Sequence, residues 1–183
     1  MRYIAAFVLL TIIPSFSAFA QKAPLSLRES IIRDSMTILD SLFTKTQDTT
    51  AKINLLQQSA ALLDQEEKIM ANPLQLKSAF SNLYINLSNL YLSDKKFSQA
   101  EDAAWIGLSK DKTYNPLLGA LAHAYLLQNK WSQAEGLYLR LKDANCKQSK
   151  TGLCKDTLLA DFIKFEKMGI THPDFAKARE VLK

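Results

Sequence analysis

The sequence predicts an all-α fold, a short solenoid of helical hairpins with about eight helices, behind a cleaved N-terminal segment. Three observations predict it. Apolar residues recur at threes and fours along most of the chain, the chain is similar to itself after a shift of 34 residues, and its longest apolar run is confined to the first twenty positions.

Composition narrows the class before any element is placed. The chain has 183 residues, 48% of them hydrophobic and 22% charged, which suits a globular protein with a core and excludes a disordered tail. Five glycines and five prolines exclude collagen-like and proline-rich chains, and two cysteines exclude a disulfide-dense miniprotein. The formal net charge of +5 is spread out. Its nearest approaches to clusters, Lys95-Lys96 and the trio Lys147, Lys150 and Lys155, are too small to track phosphates, so no nucleic-acid partner is expected.

Residues 1–20 read as a signal peptide. Arg2 follows Met1, Tyr3 to Ile13 is almost unbroken apolar sequence, Pro14 interrupts it, and Ala18-Phe19-Ala20 has the small-x-small form that signal peptidase accepts. The apolar core is about half the ~20 residues that a spanning helix needs, so no membrane anchor is expected after cleavage. The protein is expected to be exported, periplasmic or secreted, with Gln21 first in the mature chain.

From Leu25 to about Lys45, Leu27, Ile31, Ile38, Leu42 and Phe43 recur at helical spacing between charged residues, which predicts an amphipathic helix. Ile53, Leu56, Ala60, Leu63 and Met70 predict a second one. Asn72-Pro73 then reads as the start of a third, running to about Ser93.

The 34-residue shift puts Leu83 on Leu117, Leu87 on Leu121, Tyr91 on Tyr125, Leu92 on Leu126 and Lys96 on Lys130, with Phe97 on Trp131. Ser98-Gln99-Ala100-Glu101 then falls on the identical Ser132-Gln133-Ala134-Glu135. Over 81–108 against 115–142, nine of 28 positions are identical, where composition alone gives about two.

This period and these residues resemble the tetratricopeptide repeat, a helical hairpin of 34 residues. Leu87-Ser88 with Tyr91, and Leu121-Ala122 with Tyr125, look like the family's first-helix pattern; Phe97 with Ala100, and Trp131 with Ala134, look like its second. Small residues at 88, 100, 122 and 134 would let two antiparallel helices approach. The first repeat lacks the family's closing proline, Lys112 standing there instead, and Ala104 and Gly107 make its second helix lean.

Phe175 and Ala178 repeat the aromatic-then-alanine spacing after roughly ten extra residues, visible as an insertion from Asn145 to Lys155. Leu158, Leu159, Phe162, Phe165 and Met168 predict one helix, Gly169 to Pro173 a turn, and Phe175 to Leu182 a last helix. The resemblance thus implies repeats at 81–114, 115–148 and, degenerate, 156–183. The stretch from Ala79 onward is similar to the C-terminal repeat segment of bacterial tetratricopeptide proteins that share no common activity. Residues 21–78 do not fit the period and read as a hairpin capping the stack, the alternative being a dimerisation arm.

No Gly-rich phosphate loop, H-E-x-x-H, C-x-x-C or G-x-S-x-G occurs, and His123 and His172 lie in separate elements, so no catalytic residue, cofactor or metal is expected. Cys146 and Cys154 flank a polar segment able to close on itself; in an oxidising compartment a disulfide is preferred over free thiols or a zinc site.

Binding is then the expected function. In stacked hairpins the first helices line a concave groove. Asn82, Asn86 and Asn89 share one helix face, with His123 the 34-residue counterpart of Asn89, and asparagine both donates and accepts, as a peptide backbone requires. A solvated face is the plain alternative. The expected partner is another protein or a peptide; the alternative role is a structural or assembly subunit of an envelope complex.

Overall fold

The computed structural model describes residues 25–69, 76–146 and 152–183, and among them the fold is all-α. The signal-peptide reading of residues 1–20 and the Asn72-Pro73 helix start lie outside the described residues. Eight helices follow one another: α1 (Leu25–Lys45), α2 (Thr49–Ile69), α3 (Lys77–Ser93), α4 (Phe97–Lys110), α5 (Asn115–Leu127), α6 (Trp131–Leu141), α7 (Cys154–Lys167) and α8 (Phe175–Val181).

Consecutive helices pack against each other from α1 to α7. In addition α3 touches α5, α5 touches α7 and α6 touches α8. The odd-numbered helices α3, α5 and α7 therefore form one layer, with α4 and α6 behind it. One contiguous core runs from Ile53 in α2 to Leu182 at the end of the chain. Among the α1 residues from 34 onward Leu39 is buried, and Ile38, expected on the apolar face, is 50% exposed. Gln57 of α2 donates to the Tyr91 hydroxyl at 3.0 Å, and Lys110 of α4 pairs with Glu67 of α2 while lying 4.5 Å from the Phe80 ring centre.

The small and leucine positions that the shift aligned share their burial. Ala100 and Ala134 are wholly buried, as are Ser88 and Ala122; Leu87, Leu121 and Tyr91 are buried too, and Phe97, Tyr125 and Trp131 are partly so. Ser88 does more than stay small. Its hydroxyl donates to the Ala100 carbonyl at 2.9 Å, tying α3 to α4 inside the core. Phe175 and Ala178 are likewise buried, with Phe175 4.9 Å from Phe162.

Three turns repeat one geometry. Lys96 N–H donates to the Tyr91 carbonyl, Lys130 N–H to Tyr125 and Ile170 N–H to Phe165, each at 2.9 Å. The residue before each donor is left-handed: Lys95 at φ 57°, Asn129 at 61° and Gly169 at 68°. This is the bond pattern that ends a helix on a residue in the left-handed region. Lys95 Nζ donates to the Gly169 carbonyl at 3.3 Å. His172 Nδ1 accepts the Asp174 amide proton, so Nε2 is left to donate to Asn129 Oδ1 at 2.9 Å.

Gly107 does not make α4 lean. A Cβ there would lie 2.7 Å from Leu117 Cδ1 and 2.8 Å from Tyr84 Cβ, so the absence of a side chain is what lets α4 pack this closely on α3 and α5. Pro116 stands in the first turn of α5, whereas Pro173 belongs to the turn before α8.

Candidate functional site

The layer of α3, α5 and α7 encloses an open groove of about 540 Å³. Helical spacing of four and three puts Asn82, Asn86 and Asn89 along one wall, all exposed, with Ile85 between them. Pro116, Gly119 and Ala120 of α5 make the floor, and Thr157, Leu158 and Asp161 of α7 the opposite wall. Gly119 keeps the floor low: a Cβ there would meet Leu158 Cδ2 at 2.9 Å.

The Cys146–Cys154 disulfide lines the groove at one end, its Cα atoms 4.7 Å apart. Around it Cys146 N–H donates to the Gly152 carbonyl and Cys154 N–H to Ala144, pairing Asn145 with Leu153 as a single antiparallel bridge. Asn115 Nδ2 donates to the Asn145 carbonyl at 2.9 Å, fastening this neck to the start of α5. The Tyr114 hydroxyl donates to Asn82 Oδ1 at 3.3 Å, which orients that amide.

His123 is not on the groove surface. It is 2% exposed, because α7 packs on α5 and brings the Phe162 and Phe165 rings edge-on to the imidazole, each 5.1 Å away between centres. Its Nδ1 shares a hydrogen bond with the buried Tyr138 hydroxyl at 3.0 Å, and its Nε2, otherwise without a partner, faces Asp161 Oδ2 at 3.5 Å. Burial, followed by the charge of Asp161, holds the Tyr138 phenol well above the ordinary tyrosine value of 10.0.

Sequence reasoning missed Tyr138 and Asp161. A signal existed for the first: one imidazole in the otherwise apolar run Leu117–Leu127 requires a buried partner. No signal existed for Asp161, since the insertion takes α7 out of the 34-residue register. Asp161 is the sole charged side chain among the described lining residues. The groove accordingly offers amide donors and acceptors around a mostly uncharged floor, a surface suited to backbone-like hydrogen bonding.

Among the described residues no group of three or more His, Cys, Asp or Glu side chains could hold a metal ion. No helix among them is long and apolar enough to cross a membrane. No family model, curated protein or solved structure matches the chain.

Proposed function

We propose that this chain is a binding module of the tetratricopeptide kind that holds a peptide or an extended segment of another protein along the α3–α5–α7 groove. The observation that carries this reading is the row of Asn82, Asn86 and Asn89 exposed along one wall. A row of exposed amides can pair with peptide groups of an extended ligand. The recurrence of one turn geometry at Lys95, Asn129 and Gly169 supports reading the helices as three hairpins of one repeat, the last degenerate, with α1 and α2 as the cap. The disulfide supports an exported location, where such bonds persist.

Site-specific photocrosslinking tests the reading. A crosslinker at Asn86, introduced in cells, should capture a discrete partner, and one at the exposed Gln99 of α4 should not. The double variant Asn86→Ala/Asn89→Ala should abolish capture of that partner by the intact protein. Capture undiminished in the double variant excludes the groove as the binding surface.

A further inference from the structure

A second groove opens on the other side of α5, between α4 and α6, with a volume of about 730 Å³. Leu118, Leu121 and Tyr125 of α5 floor it, while Trp105 and Leu108 of α4 and Leu137 of α6 form its sides. Trp105 is 52% exposed, and so is Leu139, the residue 34 positions later; Ile106 beside Trp105 is 45% exposed. Of these three, Trp105 lines the groove, and an exposed indole over an apolar floor is a surface of the kind that marks interaction sites, while Ile106 and Leu139 lie outside the lining. The indole is also held in place, for its Nε1–H donates to the Tyr125 hydroxyl at 3.2 Å across the groove. At Gly136 an added Cβ would meet nothing within 4 Å, so the α6 side stays open.

Charge selects the occupant. The two charged side chains among the lining residues, Lys112 and Arg140, are both basic, and neither has an ion-pair partner among the described residues. A second copy of this chain docked by the same face would set basic residues against basic residues.

We infer that the α4–α6 groove is a docking site for an amphipathic helix of a different protein, its apolar face on Trp105 and Leu137 and its carboxylates on Lys112 and Arg140. An exposed aromatic anchor that is already positioned limits the ordering cost of such docking, and unpaired cations beside it favour an acidic partner. This inference is independent of the asparagine groove.

The test uses the full chain and two fluorophore-labelled synthetic helical peptides. Both carry leucines at i, i+3, i+4 and i+7; one has glutamates flanking that stripe, and the other has lysines in their place. Fluorescence anisotropy should show saturable, salt-sensitive binding of the glutamate peptide, with the lysine peptide about tenfold weaker or worse. Trp105→Ala should weaken the glutamate peptide about tenfold, and Arg140→Glu should reverse the preference between the two peptides. Arg140 is exposed, so its variant tests the site even if Trp105→Ala perturbs folding. Asn86→Ala/Asn89→Ala should leave binding unchanged. Equal affinity for both peptides, no saturable binding of either, loss of binding in the asparagine variant, or Trp105-dependent dimerisation in light scattering would each overturn the inference.

Discussion

His123 Nδ1 and the Tyr138 hydroxyl lie 3.0 Å apart in the core beneath the groove, Tyr138 wholly buried and enclosed with Phe162 by the packing of α7 on α5 and α6. Deleting the hydroxyl leaves an imidazole nitrogen without its partner away from water. Tyr138→Phe is therefore expected to destabilise the fold by about 1–3 kcal/mol in chemical denaturation, with the helical spectrum retained.

The same phenol makes stability depend on alkaline pH. Its folded value is raised, so below the unfolded value of 10.0 it is protonated in both states and its contribution is complete. Above 10.0 the unfolded chain releases a proton that the folded chain keeps, and stability falls until the folded value is passed. Tyr84 adds to this, raised by burial, then by Asp64 and Glu67. Melting temperature should fall as pH rises beyond about 10, more shallowly in Tyr138→Phe. Identical slopes in the two proteins would remove Tyr138 as a cause.

Two glycines should respond in opposite directions to alanine. Gly107→Ala drives a methyl into Leu117 and the Tyr84 Cβ at under 3 Å, and overpacking of that kind costs roughly 1–3 kcal/mol, more than the helix-propensity gain of up to about 1 kcal/mol. Gly136→Ala, exposed inside α6 with open space around it, keeps that gain and should raise stability by roughly 0.5–1 kcal/mol. Thermal melts of the two variants decide the matter by sign alone.

Lys95 occupies the left-handed region without the excuse of being glycine. That conformation costs a side-chain-bearing residue about 1–2 kcal/mol, so Lys95→Gly should stabilise the α3–α4 hairpin by about 1 kcal/mol after its exposed contact to Gly169 is lost. Amide exchange slowed at Lys96, whose N–H closes that turn, would locate the gain.

Reduction of the Cys146–Cys154 bond releases a loop whose cysteines are eight residues apart in sequence. On the chain-entropy estimate this lowers stability by about 2–3 kcal/mol. The loss should appear in a denaturant titration with reductant and be absent from a Cys146→Ala/Cys154→Ala protein, which starts at the lower value.

Much of this fold was legible because its information is local and repeated. The spacing of apolar residues marks α1 and α2, and the alignment of Tyr91 with Tyr125 and of Ala100 with Ala134 marks two hairpins whose turns share their bonds. What was not legible depends on neighbours outside the register. His123 aligns with Asn89, yet α7 covers the one and leaves the other in water, and the place of α7 follows from an insertion with no counterpart elsewhere in the chain. Gly107 looks like a weak point of α4 along the chain and is a point of closest approach in space. Leu63 and Glu66 lie in the stretch that does not fit the period and are buried all the same, because α2 packs on α3.

The turns that close the hairpins have a further consequence. Lys95 and Asn129, the two left-handed residues among the described ones that are not glycine, also reach with their side chains across to the Gly169–His172 turn. A glycine at either place would relax its own backbone and release its hold on the last hairpin, whose first helix is the far wall of the asparagine groove. Local backbone comfort and the ties between hairpins are thus set against each other at single positions. Glycine at both would favour the two turns taken alone; lysine and asparagine there instead tie the last hairpin to the two before it.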